Sequence, residues 1–122
     1  MKVMNLLENL EFHNRNPYAE PLYVDSEGRV LRFTLKPGES IREHQGHDSP
    51  FYVVVLRGTG VFAGGDGKEQ KLGPDSLVIF GPHESHHVRA GKEELVFVGF
   101  LHGAEGNVTG MVGGKLGREQ KS

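Results

Sequence analysis

With 122 residues, the chain can bury one hydrophobic core but not two independent ones, so any function it has rests on a single domain. Its 14 basic and 16 acidic residues are intermixed and sum to a formal charge of -2, which provides no broad basic face for non-specific nucleic-acid binding. The lack of cysteine removes disulfides, thiolate metal sites and cysteine nucleophiles, and suits a reducing compartment.

The N-terminal stretch MKVMNLLENLEF is interrupted by Asn5, Glu8, Asn9 and Glu11, which is not the unbroken apolar run of a signal peptide or membrane span. The expectation is a cytoplasmic protein with no membrane or nucleic-acid partner. Val3, Leu6, Leu7 and Leu10 recur at near-helical spacing, which predicts a short amphipathic helix over about residues 3–12 that caps one end of the core. After Asn14–Pro17 the period changes to two. Leu22 and Val24 mark a short strand, residues 25–28 a turn, and Leu31, Phe33 and Leu35 the inward set of a second strand whose Arg32, Thr34 and Lys36 are expected to face water. Pro37-Gly38 forces a turn.

Phe51, Val53 and Val55 alternate with Tyr52, Val54 and Leu56, so this strand is apolar on both faces and both should be covered. Residues 57–60 read as a tight turn, 61–63 as a returning strand and Gly64-Gly65-Asp66-Gly67 as a hairpin loop. A phosphate cradle is the functional alternative for GGDG, but no helix start or GK[ST] follows it. Further strands follow at 69–72, 76–80, 86–89 and 94–101, the last again apolar on both faces. Short strands punctuated by 18 glycines and 6 prolines predict an all-β sandwich or small barrel. The domain is expected to span residues 1–102. The tail at 103–122, with glycines at 103, 106, 110, 113, 114 and 117, is expected to lack fixed structure.

Five of the seven histidines fall into two clusters, His44/His47 and His83/His86/His87, each at the mouth of a predicted strand. A lone histidine is usually a surface or hydrogen-bonding residue. Two such clusters in an all-β pattern suggest imidazoles converging on a divalent metal across facing sheets.

These residues carry a specific resemblance. PGESIREHQGHDSPFYVVVLRG, residues 37–58, is similar to the first motif of the cupins, with Pro37-Gly38 ahead of His44 and a closing Gly58. GPDSLVIFGPHESHHVRA, residues 73–90, resembles the second, with the Gly73/Asp75 turn, Gly81-Pro82 and a ligand histidine matching His86. The chain is thereby identified as a small single-domain cupin over residues 20–101. The resemblance implies a double-stranded β-helix, or jelly-roll, barrel with one divalent transition metal (Fe, Mn, Zn or Ni) held by His44, His47 and His86.

The departures matter. The family's first two ligands are spaced His-x-His, but His44 and His47 are spaced His-x-x-His, so the extra residue must be absorbed by a bulge or kink at Gln45-Gly46. The family's glutamate ligand corresponds to Phe51, which cannot ligate through oxygen, and the asparagine that often follows the last ligand corresponds to Ala90. The missing ligand is either not replaced or comes from Asp48 or Glu84. A three-histidine site of this kind resembles cysteine dioxygenase and the diketone-cleaving dioxygenases. His83 and Glu84 are candidates for proton transfer at the mouth, while His87 should point outward. Phe33, Phe51, Val53, Phe62, Ile79 and Phe97 are candidate walls of a partly apolar cavity.

Two functions follow: a metal-dependent enzyme on a small, partly apolar molecule, with dioxygenase-like cleavage ahead of isomerisation or hydrolysis, or a non-catalytic metal-dependent binding or sensing module. The strands apolar on both faces also suggest an outer layer supplied by a homodimer or by the N-terminal helix.

Overall fold

The computed structural model describes residues 1–12, 18–43 and 45–103. Nine strands form among them: β1 (Tyr18–Asp25), β2 (Gly28–Leu35), β3 (Ser40–Glu43), β4 (Phe51–Arg57), β5 (Gly60–Ala63), β6 (Glu69–Leu72), β7 (Leu77–Phe80), β8 (His86–Ala90) and β9 (Leu95–His102). They make two antiparallel sheets, one ordered β1-β2-β9-β4-β7 and the other β3-β8-β5-β6. The inward residues of the two sheets interdigitate as one core, the arrangement of a jelly roll.

Period two decides most of what is buried. Leu31, Phe33 and Leu35 of β2, together with Phe51, Val53 and Val55 of β4, point into the core as expected. Phe33 stacks on Phe97 at 4.7 Å and meets Phe51 edge-on at 6.0 Å. The turn after β4 closes through Gly58, whose φ of 80° and close approach to the Glu94 backbone leave no room for a side chain.

Three expectations are corrected. The helix over residues 3–12 is not formed. The Asn5 side chain accepts a hydrogen bond from the Leu7 amide at 3.0 Å, and Asn9 takes a left-handed φ of 56°. The carbonyls of Leu6, Glu8 and Asn9 instead accept hydrogen bonds from the Arg32 guanidinium at 3.1, 3.0 and 3.4 Å, a pattern no helix permits. This also corrects Arg32 and Thr34, which do not face water. The N-terminal segment lies over their side of the sheet, where Arg32 also pairs with Glu20 at 2.6 Å and the Thr34 hydroxyl donates to the Glu11 carbonyl, so both are buried.

Ile79 is the third. It does not enter the packed core: Phe80, paired with Phe51 in register, takes the inward position of β7, which leaves Ile79 56% exposed beside the exposed Leu77, where it borders an open cavity rather than an enclosed one. The expectation that both faces of β4 are covered holds in part, since Tyr52, Val54 and Leu56 are half-buried.

Beyond β9 the Gly103 amide donates to the Glu27 carbonyl at 3.0 Å. The rest of the expected tail, 104–122, lies outside the described residues. Among the described residues no helix is long and apolar enough to cross a membrane.

Candidate metal centre at the barrel mouth

β8 opens on His86, and alternation sends His86, Val88 and Ala90 inward while His87 and Arg89 face out. His86 is 4% exposed. The loop before β4 brings His47, 8% exposed, to the same place, and the two rings lie 6.4 Å apart at 29°. Two local features hold that loop. The His83 amide donates to the His47 carbonyl at 2.7 Å, and Gly46 packs directly on the backbone of Glu84, where any Cβ would collide.

Phe51 forms the floor, 5.3 Å from the His86 ring and 6.1 Å from that of His47, and Phe80 lies 4.9 Å from His86. The position that corresponds to a carboxylate in the family motif is therefore an apolar wall. Burial, and then the nearby His47, push His86 down to about 4, outweighing the Glu84 backbone and carboxylate, which act the other way. His86 is neutral at physiological pH, and its buried Nδ1 has no hydrogen-bond partner among the described residues.

The other sequence candidates are distributed around this pair. His44 and its side of the expected bulge lie outside the described residues. Asp48 is exposed and faces His83, whose Nδ1 is 3.6 Å from an Asp48 carboxylate oxygen on the rim. His83 is likewise exposed and takes a left-handed φ of 64°. Glu84 clamps two loops: its carboxylate accepts hydrogen bonds from the Gly65 and Gly81 amides, both at 2.8 Å, and these bonds hold it below the usual carboxylate range. His87 is held below its ordinary value by partial burial and then by the charges of Arg42 and Arg89. Of the expected cavity walls, Phe33, Val53 and Phe97 are packed solid in the core, while Phe62 and Ile79 border a cavity of about 240 Å³.

Sequence reasoning missed Glu43. It is the last residue of β3, alternates inward with Ile41, and lies directly across from His86 in the antiparallel register. It is 8% exposed, and burial pushes its carboxyl up to about 7.

The donor set fits a divalent ion in its chemistry: buried neutral imidazole, one ring nitrogen without a partner, and a desolvated carboxyl alongside. Among the described residues no group of three His, Asp or Glu side chains is already gathered as a metal cluster.

Residues 31–101 match the family described as Cupin domain. No match is found among curated proteins. Solved structures do match. An RmlC-like cupin protein from Desulfovibrio desulfuricans is 26% identical over 83% of this chain and 96% of its own, with a TM-score of 0.73. A protein with a double-stranded beta-helix domain from Klebsiella pneumoniae is 19% identical over 85% of this chain and 91% of its own, TM-score 0.76. The polyketide cyclase RemF from Streptomyces resistomycificus is 18% identical over 84% of this chain and 79% of its own, TM-score 0.66.

Proposed function

Because the chain belongs to the cupin family, we propose that its barrel mouth is a metal-dependent small-molecule site in which His47 and His86, with His44, hold one divalent transition metal. The observation that carries this reading is the buried His47/His86 pair beside the unpartnered Nδ1 of His86. A buried polar nitrogen without a partner is costly, and a ligand that accepts its lone pair removes that cost.

When bound, the ion supplies a Lewis acid that polarises a chelating oxygen and, if it is iron, one-electron chemistry toward dioxygen. The chain's own residues set the rest. His86 stays unprotonated well below neutral pH, so it remains a lone-pair donor. Phe51 and Phe80 wall the site with aromatic surface, which excludes water and favours the apolar body of a substrate. His83 and Asp48, facing each other on the rim, are placed to exchange a proton with solvent.

A small, partly apolar molecule with two adjacent oxygens suits this combination. Dioxygenase-like cleavage of diketones or phenolic compounds is the first reaction to test, and isomerisation or hydrolysis the next. The same fold serves a polyketide cyclase, an analogy of fold alone that still makes polyketones reasonable probes. A binding or sensing module without turnover is the second reading. A homodimer would find apolar surface on the outer face of β7, at Leu77 and Ile79.

The test is metal analysis after purification without chelating resin, followed by oxygen uptake with diketones and phenolic compounds. Bound iron with substrate-dependent uptake supports the enzyme; zinc or nickel with tight ligand binding and no turnover supports the module. A protein that neither retains nor takes up a divalent metal refutes both.

A further inference from the structure

We propose that the gap between the edges of β6 and β7 is a second small-molecule site, separate from the barrel mouth, which takes the ring of a monocyclic phenol and holds its hydroxyl at the Gln70 amide. It does not depend on the metal-site reading.

The gap follows from the topology. β6 and β7 are consecutive strands joined through residues 73–76, yet each ends a different sheet, β6 beside β5 and β7 beside β4, with no ladder between them. The cavity of about 240 Å³ lies between these two edges. Ile79 points outward from β7 and Phe80 inward, yet both border the cavity, so it opens around the free edge of β7.

Its inner part is apolar. Phe62 and Phe80, each 3% exposed, line it together with Leu72 and Val78, which pack against the core. The space exceeds the roughly 150 Å³ that holds benzene in an apolar cavity. Gln70 pairs with Phe62 in register and so shares its inward parity, which sets an amide that can both donate and accept a hydrogen bond beside the apolar wall. The rim carries Asp66, Lys68 and Glu84. Glu84 is engaged by the Gly65 and Gly81 amides, which ties the two loops across one end of the gap, and it feels the like charge of Asp66. Two carboxylates against one ammonium favour a neutral hydroxyl over a ring that bears a carboxylate. Phe80 also lies 4.9 Å from the His86 ring, so one side chain touches both this cavity and the mouth, and a ring bound here is felt at His86.

The experiment is an NMR titration of metal-free protein with phenol and with benzoate, read at the Leu, Val and Ile methyls and the histidine rings, for wild type, Ile79→Trp and Gln70→Leu. Ile79 and Gln70 are both exposed, so Trp at 79 fills the opening without entering the core and Leu at 70 removes only the amide. The expected result is saturable phenol shifts at the Leu72, Val78 and Ile79 methyls and at the His86 ring. Binding should be about 5-fold weaker for benzoate and for Gln70→Leu, the size of one rim charge or one hydrogen bond, and lost in Ile79→Trp. Shifts confined to His47 and His86, with none at the three methyls, would overturn the proposal by placing phenol at the mouth. Methyl shifts that follow protein concentration instead of phenol would overturn it by showing that a second copy closes the gap, and so would wild-type phenol affinity in both variants. Because the protein is metal-free throughout, none of these failures touches the metal-site reading.

Discussion

Replacing Glu43 with Gln should reveal a pH dependence of stability that is hidden in the metal-free wild type. Glu43 is raised from 4.5 to about 7 in the folded state, so between those values the native protein keeps a proton that the unfolded chain gives up. Its contribution therefore makes stability fall as pH rises through that window. His86 is lowered from 6.5 to about 4, so the unfolded chain takes up a proton that the native protein refuses, and stability rises with pH over that range. The two slopes oppose each other and nearly cancel between pH 4.5 and 6.5. At ~1.36 kcal/mol per pH unit, each amounts to about 3 kcal/mol over its window. Glu43→Gln removes the opposing slope and leaves that of His86, to which the lowered His87 adds in the same direction. Urea unfolding of both proteins from pH 4 to 8, subtracted, should give a difference that is flat at low pH and grows to about 3 kcal/mol in favour of the variant above pH 7. A difference that stays constant with pH would show that the Glu43 carboxyl is not desolvated, and the account of the barrel mouth would fail.

Two further outcomes follow from packing and hydrogen bonding. A Cβ at Gly99 would sit 2.7 Å from Cζ of the Phe51 ring, which is itself enclosed in the core, so Gly99→Ala should cost about 1–3 kcal/mol in urea unfolding and shift Phe51 against His86. Glu84→Ala should release the Gly65 and Gly81 amides, visible as faster hydrogen exchange there, with a loss at the low end of about 1–3 kcal/mol because the carboxylate is partly exposed. Because Glu84 is held below 4.5, that contribution is present above 4.5 and fades as pH falls through its lowered value; the variant should lack this component.

The barrel was readable in the sequence wherever period two had one meaning. Phe33, Phe51 and Val53 alternate with less apolar neighbours and are buried, and turn residues such as Gly58 fall where strands end. It misled where a second layer changed what the alternation meant. Arg32 and Thr34 look solvated, yet they bind the backbone of the N-terminal segment, whose leucine spacing imitates a helix that Asn5 and Asn9 break. At β7, four residues apolar on both faces gave no parity, and only pairing with Phe51 selects Phe80 over Ile79.

The site shows the same division. His47 and His86 lie together at the barrel mouth, their rings 6.4 Å apart. Glu43 lies outside the histidine clusters, but in the alternation Ser40-Ile41-Arg42-Glu43 an acidic residue shares the face of a core isoleucine. That signal was available: a charge at an apolar parity is a functional candidate. The clamp made by Glu84 had no such signal, since both of its partners are backbone amides and one of them, Gly65, belongs to a separate loop.

The central claim is that the buried His47/His86 pair holds a metal. Its most direct measurement is the metal retained after dialysis against excess Zn²⁺ and then buffer, for wild type, His47→Ala, His86→Ala and the outward-facing control His87→Ala. The account predicts one equivalent in the wild type and the control, and loss from both His47→Ala and His86→Ala. Equal retention by all four proteins, or none by the wild type, would contradict it.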